Sequence, residues 1–263
     1  MSYQTILWDI RDGVATLTFH RPDRLNAFTQ EMHREIRDAM DRVEEPGAAR
    51  VLVITGSGRA FSAGQDLEEA SASGRAADFD AASTLEVNYN PWLKRLRALP
   101  MPVIAAVNGV AAGAAANVAL GCDLVVATRS ATFLQAFARI ALIPDAGGTY
   151  VLPRLVGMAR AMGLAMGAEP LPAEQAAQWG LIWKCVDDDK FADEVSRLAN
   201  GLAAGPTGAY ALIKQAMYAS ADNDHATQLA LEATLQKRAG ASGDFAEGVA
   251  AFLEKRRPVF RGR

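Results

Sequence analysis

Short apolar runs that alternate with helical segments constrain the fold of this chain more than any other feature. The runs are Val51–Thr55, Val103–Val107 and Leu124–Ala127, and the helical segments between them include Trp92–Leu99 and Ala111–Leu120. Strands that are apolar on both faces are typical of a parallel sheet covered by helices. Because parallel strands need a crossover connection, which is usually a helix, the alternation predicts an α/β fold.

Patterns before these strands extend the prediction towards the N-terminus. Residues Val14–Phe19 alternate between apolar and polar, which indicates a half-buried strand. Met32, Ile36, Met40 and Val43 then recur at helical spacing. For the small and polar residues 68–80 we predict a loop or a frayed helix.

The composition changes in the second half of the chain. From about residue 159 onward we predict only helices, over residues 172–179, 192–203, 207–220, 226–237 and 245–256. We therefore divide the chain into an α/β core, residues 1–195, and a C-terminal helical region, residues 196–263. The apolar faces of these helices would pack on the core or on another subunit.

Charge and cysteine content exclude several classes of protein. The chain has 263 residues and a net charge of −3, so it lacks the basic surface that holds nucleic acid or an anionic membrane. Its two cysteines, Cys122 and Cys185, are too few for a disulfide framework and too far apart in the chain for a metal site. No apolar run is long enough to cross a membrane, and no signal-peptide pattern opens the chain. These features predict a cytoplasmic protein.

Two turns of small residues directly follow predicted strands. Phe61–Asp66 comes after Val51–Thr55, and Asn108–Gly113 comes after Val103–Val107. Open α/β sheets bind ligands at the carboxyl ends of their strands, and small side chains let a ligand approach the backbone. Free amide groups from both turns, aimed at one point, would form an oxyanion hole for an oxygen that becomes negative during reaction. The alternative is that both are ordinary strand-to-helix turns, in which glycine and alanine permit close packing.

A single acid, Asp145, stands within apolar flanking sequence. Such surroundings would raise the pKa of its carboxyl, so that it could take up and return a proton. The alternative is that Asp145 caps a helix that begins near Gly147. The histidines His20, His33 and His225 have no partner at metal-ligand or triad spacing, and we interpret each as a surface or satisfied histidine.

Four motifs, in this order, resemble those of the enoyl-CoA hydratase/isomerase (crotonase) family: Arg21–Ala27, Phe61–Asp66, Asn108–Gly113 and Ile143–Thr149. The likeness covers nearly the whole chain. It implies a spiral core of ββα turns followed by a C-terminal helical region that mediates homotrimers, often paired into hexamers. It also implies that the substrate is an acyl-CoA thioester and that coenzyme A enters only as part of that substrate, with no metal or redox cofactor.

The resemblance also assigns expected roles to individual residues. The amides of the oxyanion hole would belong to Gln65 and Ala114, and Asp145 would be the catalytic base. The residues expected to line the coenzyme A site are Arg24, Leu25, Ala27, Ala63, Asp66, Leu67 and Gly113. Lys255 would reach the phosphates of coenzyme A in its own or a neighbouring subunit, unless it only forms part of a solvated helix end.

Departures from the family's hydratases indicate the type of reaction. Those enzymes use two glutamates to position and activate water, and the matching positions here are Asn117 and Phe137. Asn117 would position substrate or a water without taking the proton. An acid at position 145, where many hydratases have glycine, resembles the isomerase members instead. Tyr89 and Trp92 would either stack on an aromatic acyl group or belong to the core.

Three other functions stay open at this point. The chain could be a β,γ- to α,β-enoyl-CoA isomerase of fatty-acid metabolism, an enoyl-CoA hydratase, or a scaffold that binds CoA esters without turning them over. The missing glutamates disfavour the hydratase, and an acid in apolar surroundings disfavours the inactive scaffold.

Overall fold

The strands form two sheets in the computed structural model, which describes residues 3–72 and 80–262. In chain order they are β1 (Ile6–Arg11), β2 (Val14–Phe19), β3 (Val51–Gly56), β4 (Ala60–Ser62), β5 (Val103–Val107), β6 (Val110–Ala112), β7 (Leu124–Thr128), β8 (Thr132–Leu134), β9 (Leu171–Pro172) and β10 (Lys184–Val186). The larger sheet has the order β1-β2-β3-β5-β7-β10, and the smaller has the order β4-β6-β8-β9.

The helices of the described ranges cover these sheets and form the C-terminal region. They are α1 (Gln30–Val43), α2 (Leu67–Ala72), α3 (Ala81–Thr84), α4 (Asn90–Ala98), α5 (Ala114–Leu120), α6 (Gly148–Gly167), α7 (Ala173–Gln178), α8 (Phe191–Ala203), α9 (Thr207–Ala219), α10 (His225–Gly240) and α11 (Gly243–Leu253). A single wide turn, Leu85–Tyr89, joins α3 to α4. No helix among them is both long and apolar enough to span a bilayer.

The chain winds through three ββα turns, each of which places one strand in each sheet. β3 and β4 precede α2 to α4, β5 and β6 precede α5, and β7 and β8 precede α6. Successive strands of the larger sheet from β2 onward pair in parallel. This winding confirms the predicted spiral core, and it brings the ends of β4 and β6 side by side.

Both faces of the larger sheet are covered, as apolar strands require. In β3, Leu52 and Ile54 face the main core, whereas Val51 and Val53 face a second cluster with Ala199 of α8. The predicted division after residue 195 falls within α8, and it stays a prediction, as does the trimer or hexamer. Apolar side chains of α11 are exposed, including Phe252 at 82%.

Several elements differ from the sequence prediction. The helix predicted from residue 111 begins at Ala114, because Val110–Ala112 is a strand and Gly113 turns the chain with a φ of 55°. The region after residue 159 is not purely helical, since β9 and β10 are strands too short to show a period. β1 was missed because only Ile6 of this edge strand is buried.

The long helix α6 was also missed in its first half. It begins at Gly148, and Gly157, with a φ of 75°, kinks it and interrupts its apolar period. In the segment 68–80, predicted as a loop or frayed helix, the residues up to Ala72 belong to α2 and Asp80 caps α3. Residues 73–79 lie outside the described residues.

Candidate active site

The turn after β4 holds Gln65 so that its amide group is free. The Phe28 amide donates to the Gly64 carbonyl oxygen at 2.8 Å, and the Asp66 amide donates to the Phe28 carbonyl oxygen at 2.9 Å. These two bonds form a parallel bridge between Phe28 and Gln65. In such a bridge the bonds run to the neighbours of Gln65, so its own N–H points away from Phe28. The Gln65 amide has no hydrogen-bond partner within residues 3–72 and 80–262.

The turn after β6 exposes a second amide, that of Ala114. Ala114 is the first residue of α5, and the first amides of a helix have no partner within it. The Gly113 amide, by contrast, donates to the Leu134 carbonyl oxygen at 2.8 Å. The two turns touch, because a Cβ placed on Gly64 would lie 3.6 Å from the Ala114 nitrogen and 2.8 Å from the Ala112 carbonyl oxygen. Glycine at position 64 therefore allows both amides to border the same space.

Both turns open into one cavity that also contains Asp145. Its lining is mostly apolar: Ala63, Gly64, Gln65, Leu67, Ala81, Thr84, Leu85, Tyr89, Gly113, Ala114, Ala136, Phe137, Ile140, Leu142 and Asp145. Asp145 is the only carboxylic acid among the lining residues that the structure describes. These residues include no group of His, Cys, Asp and Glu that could hold a metal ion.

The Asp145 carboxyl is suited to proton transfer. Its Oδ1 atom is buried and has no hydrogen-bond partner in the described part of the chain. Burial raises the pKa of this carboxyl from an ordinary value of 3.8 to about 6. The Asp145 side chain does not cap α6. The N-cap of that helix is Gly147, and no side-chain hydrogen bond caps its first turn. The capping alternative is therefore wrong, and the carboxyl is left available to a ligand.

Asn117 has a different place from the one predicted. It is buried behind Asp145 and does not line the cavity. Its Nδ2 donates to the Asp145 carbonyl oxygen at 2.8 Å, and its Oδ1 accepts from Gln135 Nε2 at 2.8 Å. Because both ends of the amide are occupied, Asn117 holds the backbone that carries the acid rather than reaching a substrate or water. A Cβ on Gly148 would lie 2.2 Å from Asn117 Nδ2, so glycine is required there.

The five uncharged residues predicted to line the coenzyme A site divide into two groups. Ala63, Leu67 and Gly113 line the cavity. Leu25 and Ala27 lie beside it, where the Leu25 carbonyl oxygen accepts from the Ala63 amide at 2.9 Å.

Charged residues surround the same loop. Arg21 Nη1 donates to the Ala27 carbonyl oxygen at 2.6 Å and to Asp66 Oδ2 at 2.9 Å, which ties the two segments together. Arg24 is exposed and pairs with Glu68 at 2.8 Å. Lys255 is exposed after α11 and does not line the cavity. The contact of Lys255 with coenzyme A stays a prediction.

Sequence reasoning misjudged His33. It is fully buried, and its Nδ1 accepts from Trp92 Nε1 at 3.2 Å, so it is not a surface residue. Its Nε2 atom is buried and makes no hydrogen bond of ordinary geometry among the described residues, although the Gln65 side chain lies close enough to interact with the imidazole. A signal was present, because Ile36 and Met40 follow at the three- and seven-residue spacing of one helix face. Trp92 and Tyr89 both belong to the core, and Tyr89 also lines the cavity.

A ββα spiral in which two free amides and one half-buried carboxyl border the same cavity defines an enzyme site that can stabilise a negative oxygen and move a proton. The sequence profile of the family described as enoyl-CoA hydratase/isomerase matches residues 9–263. The chain therefore belongs to this family, and the predicted resemblance is confirmed.

Two curated relatives match almost the full length. The 1,2-epoxyphenylacetyl-CoA isomerase of Escherichia coli is 50% identical over 98% of this chain and 98% of its own. A protein of Rhodobacter capsulatus named as a probable enoyl-CoA hydratase is 51% identical over the whole of both chains. Among solved structures, the enoyl-CoA hydratase of Bacillus anthracis superposes with a TM-score of 0.91 at 30% identity, covering 99% of this chain and 100% of that one.

Proposed function

We propose that the chain is an acyl-CoA isomerase that converts 1,2-epoxyphenylacetyl-CoA into the seven-membered oxepin-CoA, a step of aerobic phenylacetate degradation. The observation that carries this proposal is one half-buried acid, Asp145, which lines the same mostly apolar cavity as two free amides and is the only acid among the lining residues that the structure describes. The 50% identity to an isomerase of this substrate supports the choice of acyl group.

The geometry supports a proton-transfer mechanism. The thioester oxygen would lie between the amides of Gln65 and Ala114. Asp145 would remove a proton from the carbon next to the thioester carbonyl, and the electron pair would delocalise onto the oxygen held by the amides. The epoxide ring then opens and expands, and Asp145 returns the proton. Substrate and product are isomers, so no atom or electron is gained or lost.

Hydration is the second candidate, because a relative of equal identity carries a hydratase name. Adding water across a double bond needs a group to activate the water and an acid to protonate carbon. The cavity offers Asp145 for one of these tasks, but Phe137 stands in the lining where a second acid would be needed. Asn117 is turned away from the cavity and bonded at both ends. This favours isomerisation over hydration.

A panel of three thioesters tests the proposal. We expect turnover of the ring epoxide of phenylacetyl-CoA, followed by liquid chromatography and mass spectrometry, to exceed that of a β,γ-enoyl-CoA. Hydration of crotonyl-CoA, followed by its loss of absorbance, should be the slowest. If crotonyl-CoA were the best substrate, the chain would be a hydratase. Binding of all three esters without conversion would show an inactive scaffold.

The pH dependence of turnover follows from the raised pKa of Asp145. The base must be ionised to accept a proton, so we expect kcat/KM to rise about tenfold per pH unit up to about pH 6 and then to level off. A series of assays from pH 4 to pH 9 at constant ionic strength measures this curve. An inflection near 4 would contradict the buried, proton-transferring carboxyl.

The same pKa predicts how stability changes with pH. Between 3.8 and about 6 the native carboxyl holds a proton that the unfolded chain has lost. The native protein thus binds more protons than the unfolded chain. The contribution of Asp145 to the free energy of unfolding therefore falls as pH rises through this window. Asparagine does not titrate, so the difference in Tm between Asp145→Asn and the parent should shift in favour of the variant as pH rises from 4 to 7. Thermal unfolding of both proteins across this pH range measures the shift.

A further inference from the structure

The Gln65 side chain, unlike its amide, makes a hydrogen bond inside the protein. Tyr89 donates its hydroxyl to Gln65 Oε1 at 2.9 Å. Tyr89 lines the cavity with Gln65 and Asp145, yet its side chain is almost completely buried. Burial, together with the nearby charge of Asp145, raises the pKa of Tyr89 well above its ordinary value. The hydroxyl therefore stays protonated and acts as a donor.

Aromatic packing fixes the position of that hydroxyl. The His33 ring meets Tyr89 edge to face at 4.3 Å between centroids, and it stacks on Phe28 at 5.5 Å. Trp92 Nε1 donates to His33 Nδ1 and holds the imidazole in place. Burial lowers the pKa of His33 to about 3, so the ring stays neutral beside these aromatic groups. Tyr89 thus has little freedom to turn its hydroxyl elsewhere.

Backbone hydrogen bonds, ring contacts and one side-chain hydrogen bond connect Phe28, His33 and Tyr89 in a closed ring of contacts that includes Gln65. Phe28 binds the peptide groups on either side of it, through Gly64 and Asp66. The Phe28 ring stacks on His33, His33 packs on Tyr89, and Tyr89 returns to the Gln65 side chain. Residue 65 is consequently held through its backbone and through its side chain.

We propose that Tyr89 is a positioning residue for the oxyanion hole: its hydroxyl, braced by His33, fixes Gln65 so that the Gln65 amide points at the thioester oxygen. This inference rests on the proposed function in one respect, since it takes the ligand oxygen to be that of a thioester. Tyr89 acts through Gln65 and does not itself exchange a proton with the substrate. A donor must keep its direction closely to stabilise a developing negative charge, so a loosened Gln65 would weaken catalysis more than binding.

Turnover of the preferred thioester provides the first test. We expect Tyr89→Phe to lower kcat about tenfold while KM stays within about twofold, because the amide matters most in the transition state. Gln65→Met removes the acceptor of the same bond, and the double variant should lose no more than the worse single variant. Tyr3→Phe is the control, since it removes a hydroxyl that binds Asp38 away from the cavity. Additive losses, or an unchanged kcat in Tyr89→Phe, would overturn the proposal.

Infrared spectroscopy provides a test that does not require turnover. Phenylacetyl-CoA, labelled with ¹³C at the thioester carbonyl, is bound to the parent and to each variant. The carbonyl band should shift to lower frequency in the parent and in Tyr3→Phe, and the shift should be smaller in Tyr89→Phe. A full shift in Tyr89→Phe refutes the positioning role even if the natural substrate differs from the one proposed. A full shift in the parent without any conversion of the epoxide refutes the proposed substrate alone.

Discussion

Asp145→Asn is expected to lower kcat about 10³-fold and to leave the Kd for phenylacetyl-CoA nearly unchanged. Asparagine has nearly the same shape as aspartate, so the cavity and the two amides should keep their positions. It cannot accept a proton, and no other carboxyl among the described residues lines the cavity. Steady-state kinetics with the epoxide substrate measure the first quantity, and calorimetric titration measures the second.

A matched control separates the loss of the base from the loss of a charge. Asp9→Asn removes an exposed acid that pairs with Arg11 and does not line the cavity, so it should leave kcat at the parent value. If Asp145→Asn retained more than about a tenth of the parent activity, the carboxyl would not be the base that the mechanism requires. A cooperative thermal transition of this variant at pH 7 would show that it is folded.

Local patterns in the sequence predict the core of this fold well. Val51–Thr55 and Val103–Val107 are apolar on both faces, and a sheet covered on both sides is the arrangement that buries them. The patterns do not predict an element that buries few of its residues or a helix whose apolar period is interrupted by a kink. β1 buries Ile6 alone, and Gly157 disrupts the apolar period of α6.

The sequence predicted which residues form the site but not the hydrogen bonds that hold them in place. Small-residue turns after two strands suggested free amides, the family resemblance assigned them to Gln65 and Ala114, and the apolar flanks of Asp145 suggested a raised pKa for its carboxyl. The bonds that hold them are long-range, such as that from Asn117 to Asp145 and that from Tyr89 to Gln65. No pattern of spacing along one segment encodes which distant side chain meets a given carbonyl or amide oxygen.

A single methyl group between the two turns should be nearly as damaging as the loss of one oxyanion donor. We expect Gly64→Ala to lower kcat/KM about 10²-fold. Its Cβ would lie 2.8 Å from the Ala112 carbonyl oxygen, a backbone atom within a paired strand that cannot easily move aside. The turns must therefore separate, which carries the amides of Gln65 and Ala114 out of register with one oxygen. Steady-state kinetics and the carbonyl band of bound phenylacetyl-CoA both report this displacement.

Backbone strain must be distinguished from displacement, because Gly64 has a φ of +90° that alanine resists. Gly47→Ala provides the comparison: Gly47 has a φ of +81°, and a Cβ there meets nothing within 4 Å. Both variants should lose about 1 kcal/mol of stability from the left-handed backbone, but only Gly64→Ala should lose activity and the carbonyl shift. Equal activity in the two variants would mean that the turns do not form the oxyanion hole, since a contact this close cannot be accommodated without moving one of them.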